Sequence, residues 1–263
     1  MKTFLLKGWA NNMKNLLKFE FTKLKKKKSF YICTLIMVAL LFISALTMNA
    51  LITVSAEFGE LFEVSSIDSL ISGLNDSSFI MITSIFVVLF VCEDYTNQTV
   101  KNIYAKGYSR KEVYLSKLIS TLASATIMFV VVEIAAFAIG TGFFGSKEMG
   151  SPKLLAIIGT QYVVAMANIV LAFMAASAIR KNGGAIAFII LAPTLVSIVT
   201  GLADVFLNLE NISITSLWIS NFLSEVSDLT AETKDILICL VGSLIYIPVF
   251  GFLGSYLNQK ADV

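Results

Sequence analysis

KKKKSFYICTLIMVALLFISALTMNALITV, residues 25–54, decides the fold class. Four lysines lead directly into 26 residues without a single charge. A helix of about 20 apolar residues crosses the hydrocarbon core of a bilayer, so residues 29–54 read as a membrane span. Lysines placed against a span hold that end in the cytoplasm. A cleavable signal peptide has a shorter basic region and a shorter apolar run than this, so the span is retained.

Outward from this stretch, five further apolar runs follow at 77–92, 118–144, 154–179, 184–207 and 236–257. The second run is short: its 16 residues rise only ~24 Å as a helix, so it is expected to continue into Glu93 or to lie where the bilayer thins. Composition agrees with the count of spans. Apolar residues make up 57% of the 263 and charged residues 14%, with mean hydropathy +0.82, whereas a soluble domain is roughly one quarter charged. The expected fold is an all-α membrane protein of six transmembrane helices. A basic amphipathic segment covers 1–28, the transmembrane domain 29–257, and a tail 258–263.

Orientation follows from the basic residues. Seventeen of the 20 lysines and arginines fall before the first span, between spans two and three, after span four, or in the tail. The opposite loops carry Glu57, Glu60, Glu63, Asp68, Asp76, Glu148, Glu210, Glu225, Asp228 and Glu232, with only Lys147, Lys153 and Lys234 among them. Because basic loops stay inside, both termini are expected in the cytoplasm.

Several chemistries are excluded at once. The chain has no histidine, which removes the commonest general base and metal ligand. Cys33, Cys92 and Cys239 all sit in apolar stretches and offer no disulfide framework. No Gly-x-Ser-x-Gly elbow and no paired intramembrane aspartates support an intramembrane hydrolase. No inverted repeat with matched broken helices supports a secondary transporter. Residues 1–12 read as a loose lead-in, with Met13 an alternative start.

Residues 13–28 have helical periodicity: Leu17, Phe21 and Leu24, flanked by Leu16, share one side, while Lys14, Lys18 and Lys25 occupy others. Such a helix lies in the membrane interface with its lysines among anionic headgroups. It serves either as an anchor alone or as a docking element for a partner. The basic run is too short, and too close to a span, for nucleic acid. On the opposite side, Phe58, Leu61, Phe62, Ile67, Leu70, Ile71 and Leu74 suggest an amphipathic helix on the outer leaflet. Trp218, Ile219, Phe222 and Leu223 suggest an interfacial or re-entrant segment, or equally a capping loop.

The connection 93–117, EDYTNQTVKNIYAKGYSRKEVYLSK, is the most informative stretch. Gly107 suits a left-handed corner. Ser109 followed three residues later by Glu112 spells a capping box, so a helix starts near Arg110 and runs into the third span. Val100, Ile103 and Tyr104 give a second short amphipathic face before the corner. The pattern is helix, glycine corner, helix, rich in charge and tyrosine.

In Glu93, Thr99-Val100-Lys101, Gly107-Tyr108-Ser109-Arg110 and Lys117, the sequence resembles the permease subunits of ABC transporters of the ABC-2 type. The six-span plan and the basic N-terminal helix are similar too. Many members carry Gly-Thr where this chain has Asn97-Gln98-Thr99. The resemblance implies that the segment around 100–112 is a coupling helix seated in a separate ABC ATP-binding subunit. Glu93, Lys101, Tyr104, Gly107, Tyr108, Ser109, Arg110 and Lys117 are then the coupling residues. A second permease copy or a homologous permease is implied as partner, as are bacteriocin or antimicrobial-peptide export and self-immunity. ATP and Mg belong to the partner subunit: the nearest approach to a phosphate loop here, residues 140–147, has its serine and lysine in the wrong order and no strand before it.

Inside the spans, Glu133 is the costly residue. A mid-membrane carboxyl must face protein or water, as a pathway group or as a packing contact. Asp204 is expected to be solvated at the outer mouth. Asn49, Gln161 and Asn168 are expected to join helices, and Ala172, Ala175, Ala176 and Ala178 to form a close-packing flank. Pro193 is expected to bend the fifth span. The lysine- and asparagine-rich composition points to a Gram-positive bacterium. The alternative function is a membrane sensor or scaffold that docks a partner through 93–117.

Overall fold

The computed structural model describes residues 2–54, 65–75, 77–145, 152–207, 213–227 and 231–260, with side chains from Asn11 onward apart from Leu74, Ser77 and Pro152. Glu57, Phe58, Leu61 and Phe62, and the loop charges Asp76, Lys147, Glu148, Glu210 and Asp228, lie outside the described residues. Within them the chain is helical throughout. α1 is Lys2–Lys26, α2 Lys28–Val54, α3 Ser66–Asn75, α4 Ser77–Thr96, α5 Thr99–Ala105, α6 Arg110–Phe144, α7 Pro152–Ile179, α8 Asn182–Leu207, α9 Phe222–Glu225 and α10 Thr233–Lys260. Six helical stretches are long and apolar enough to cross a membrane. Helix α1 starts ten residues before the lead-in was expected to give way, and only Lys27 separates it from the first span.

The second span differs most from the sequence expectation. Residues 66–75 are not a separate surface helix: α3 leads into α4 with only residue 76 between them, and the pair counts as one candidate span, Ser66–Thr96. Both halves run antiparallel to α6, from Ser69 beside Gly140 and Gly73 beside Ala136 to Asp94 beside Lys117. The span that looked too short therefore borrows its N-terminal third from α3. Small residues allow this. A Cβ added to Gly140 would stand 2.7 Å from the Ser69 Cβ, and one on Gly73 3.0 Å from that of Ala136. Two small pairs spaced i, i+4 on each helix bring the backbones together, and close van der Waals packing drives helix association where lipid is as apolar as protein.

Helix α7 is the most enclosed span and packs against α4, α6, α8 and α10. Its flank of Ala172, Ala175 and Ala176 is buried, with Ala178 partly so. Between α2, α4 and α6 an aromatic chain fills the core: Phe30 meets Phe86, Phe86 stacks on Phe90, and Phe79 meets Phe129, which meets Tyr162. Each such pair adds about 0.5–1.5 kcal/mol beyond its burial. Gln161 joins elements as expected: its Nε2 donates to the Ile71 carbonyl at 3.1 Å and to the Val226 carbonyl at 3.0 Å. Asn168 does not, since its Nδ2 donates to Val164 on its own helix, and Asn49 makes no side-chain bond to another helix among the described residues.

The segment after α8 is pushed into the bundle. Two 3-10 turns, Thr215–Leu217 and Ile219–Asn221, lead into α9. Ile219, Phe222 and Val226 are buried, and the Phe222 ring occupies the space where Gly242 on α10 has no Cβ. Asp204 is not simply solvated. Its carboxylate accepts from Ser213 Oγ at 2.8 Å, from Ile214 N at 2.5 Å and from Thr215 N at 2.9 Å, tying the segment to the end of α8.

Candidate functional site

The basic connections gather at one end of the bundle, and the segment between α4 and α6 forms its most prominent feature. Gln98 enters α5 with φ 55°, in the left-handed region. A side chain held in that region costs roughly 1–2 kcal/mol. Gly107 makes the corner at φ 88° with no atom near its missing Cβ. Ser109 then caps α6. Its backbone N and its Oγ each donate to Glu112 Oε2 at 2.8 Å, and Glu112 N returns a bond to Ser109 Oγ at 3.3 Å. Asn12 on α1 donates to the other Glu112 oxygen at 3.4 Å.

One side of this corner is pinned and the other is free. Ile103 and Val113 pack with Leu16 of α1, Tyr104 and Tyr108 lie against them, and Val100 is buried. Lys101, Asn102, Ala105, Lys106, Gly107, Ser109 and Lys111 are exposed. The exposed face is therefore small, basic and rigidly backed. Arg110 lies partly buried beneath it. Its guanidinium is 6.0 Å from the Tyr104 ring centre and its Nη1 donates to the Gln259 carbonyl at 2.8 Å. Burial pushes the Tyr104 hydroxyl above its ordinary pKa, so it stays neutral.

Glu93 and Lys117 are separate from that face. Lys117 is 2% exposed and lies between Glu20 of α1, at 2.8 Å, and Asp94 of α4, with which it pairs directly. Lys23 pairs with Asp94 at 2.6 Å, donates to the Phe90 carbonyl at 2.9 Å and sits 4.4 Å from the Phe90 ring centre. Burial draws Lys23 below its ordinary pKa, and the nearby Lys117 charge adds to that, while Asp94 opposes both. Glu93 binds Lys27 at 2.5 Å. Glu20 and Asp94 thus balance Lys117 and Lys23 in the seam between α1, α4 and α6, and Glu93, 3.7 Å from Lys23, joins Lys27 to it. The buried centre of α1 runs Met13, Leu16, Glu20, Leu24. Helix α1 is therefore docked on protein through this stripe, rather than lying only among headgroups. Glu20, Lys23 and Asp94 are the residues that motif reading missed. An acid on an apolar stripe at i+4 from Leu16 and i−4 from Leu24 was the available signal.

The sequence model of the family described as "ABC-2 family transporter protein" matches residues 16–201, well over half of the chain. The chain belongs to that family. The match takes in the docked stripe of α1 from Leu16 onward, the charge seam, the corner and all of the first four spans. No curated protein matches the chain. As an ABC-2 permease it is a multi-pass membrane subunit of a transporter and not itself the catalytic one, and family membership implies an ABC ATP-binding partner.

Two further features of this ABC-2 permease concern its interior. Glu133 on α6 has both carboxyl oxygens buried, with no hydrogen-bond partner among the described residues. A cavity of about 410 Å³ opens between α4, α7, α8 and α9. Met81, Phe188, Pro193 and Leu223 line it with Ser84, Asn168 and Thr194, and no charged side chain reaches it. Glu133 is not part of its wall.

Proposed function

We propose that this chain is the translocation subunit of an ATP-driven exporter and that the exposed corner 100–112 seats in a cleft of a separate ATP-binding subunit. The observation that carries this reading is the two-sided corner: basic and open on one face, pinned through Ile103 and Val113 to Leu16 on the other. A partner that grips Lys101, Lys106 and Lys111 can displace the corner only by displacing α1 and α6 as well. The seam of Glu20, Asp94, Lys23 and Lys117 carries that displacement on to the second span. Glu93 and Lys117 then act inside the permease, while Lys101, Gly107, Tyr108 and Ser109 meet the partner and Tyr104 and Arg110 back the corner.

In this reading the basic end, with both termini, faces the cytoplasm of a Gram-positive cell, and a second permease copy or a homologue completes the pathway. ATP and Mg are held by the partner subunit. The cargo is hydrophobic or amphipathic, with an antimicrobial peptide, exported or countered in self-immunity, as the favoured class. A pathway wall without fixed charge, such as the cavity at Met81 and Phe188, supports that class. Glu133 is a pathway or packing group.

The test is purification of the tagged chain co-expressed with a candidate ATP-binding subunit from the same organism. A stoichiometric, ATP-hydrolysing complex that is lost on Lys101→Glu with Lys106→Glu is the expected result. A chain that elutes alone, or a complex indifferent to both reversals, would overturn the docking role and favour a sensor or scaffold.

A further inference from the structure

Three cytoplasmic-type ends that are distant in sequence converge on one amide. Asn258, near the end of α10, is buried. Its Oδ1 accepts from Tyr95 Oη at 3.1 Å, at the end of α4, and from Arg180 Nη2 at 2.9 Å, in the turn between α7 and α8. The same Nη2 also donates to the Asn258 carbonyl at 3.2 Å, and the guanidinium lies 4.9 Å from the Tyr95 ring centre. Arg110 donates to the neighbouring Gln259 carbonyl. Two arginines from two different connections therefore cap the carbonyl end of the last span, where a helix carries partial negative charge.

Arg180 holds this position against its own backbone. Its φ is 60°, in the left-handed region, although Gly183 and Gly184 follow within four residues. A glycine would take that conformation without strain. A strained arginine persists where its surroundings hold it, and here its side chain makes the bonds.

We infer that Arg180 and Asn258 form a latch that makes the turn between spans four and five and the end of span six move as one body with the coupling corner. The inference rests on the coupling role proposed above. Asn258 and Arg180 are positioning residues; neither is expected to touch cargo or nucleotide. Replacing Asn258 with aspartate keeps the acceptor and adds charge opposite Arg180, so the latch survives. Replacing it with leucine removes the side-chain acceptor of both Tyr95 and Arg180 and leaves Arg180 only the backbone carbonyl. Arg180→Gly removes the guanidinium while relieving the backbone, so that variant folds.

The experiment is spin labelling at Lys181→Cys and Lys260→Cys, both exposed, in the purified chain and in its complex with the ATP-binding subunit, nucleotide-free and vanadate-trapped. With the latch intact, and with Asn258→Asp, one narrow distance is expected, the same in all states. Arg180→Gly and Asn258→Leu are expected to populate a second distance, the closed form falling at least about tenfold relative to the open one, as loss of a charged hydrogen bond implies. A single unchanged distance in both disruptive variants would overturn the latch. A native distance that changes on trapping would overturn motion as one body. If the latch opens as expected in the chain alone but no nucleotide-binding complex forms, the coupling reading fails while the latch stands.

Discussion

At Lys117 the charge seam is a closed set, and closed sets are sensitive to the removal of one member. Lys117→Met leaves Glu20 and Asp94 buried beside each other with only Lys23 nearby, and taking one partner from a buried pair costs about 3–5 kcal/mol. The detergent-solubilised variant is expected to melt well below the native chain by intrinsic-fluorescence unfolding. Adding Glu20→Gln and Asp94→Asn is expected to restore part of the loss, because neutral partners need no counter-charge. Three independent, additive losses would argue against a shared seam. On α10, Gly254 has no room for a side chain: a Cβ would stand 2.4 Å from the Tyr114 hydroxyl, which donates to the Gly251 carbonyl at 2.9 Å. Gly254→Ala is therefore expected to destabilise by about 1–3 kcal/mol, with recovery in the double variant Gly254→Ala, Tyr114→Phe. These residues differ in legibility. Ser109 and Glu112 announced their capping box through spacing alone. Asn258 gave no signal, because what makes it matter comes from Tyr95 and Arg180, 163 and 78 residues away.

Among elements, α3 shows where periodicity misleads. Ile67, Leu70 and Ile71 share a face, which reads equally as a helix on lipid and as one on protein. The deciding residues lie elsewhere: Ala136 and Gly140 on α6 clear a track for Ser69 and Gly73. Gly140→Ala should pry the outer half of the second span away, with a loss of about 1–3 kcal/mol. Ser69→Gly in the same chain is expected to return part of it, and equal melting of the single and double variants would refute the pairing. The long apolar spans were legible because bilayer thickness sets a length that any sequence can be measured against. The docking of α1 was only half legible. Its lysines marked a solvated face correctly, but the role of Glu20 depends on Asp94 and Lys117, which only the folded chain brings near.

For the whole molecule, the division of charge between the two ends predicts accessibility. Lys106→Cys is expected to react with a membrane-impermeant thiol reagent only from the cytoplasmic side of sealed vesicles, and Thr233→Cys only from the other; the reverse pattern would invert the proposed orientation. The buried native thiols Cys33, Cys92 and Cys239 leave this background low. The seam between α1, α4 and α6 also bears on synthesis. Glu20 leaves the ribosome 97 residues before its partner Lys117, an interval of roughly 5–20 s at ordinary elongation rates. During that time Glu20 lacks Lys117, and Asp94 of the second span has Lys23 but not the second lysine that completes the seam. A chain that stops before the third span therefore leaves Glu20 without its lysine, and the seam closes only once residue 117 has been made.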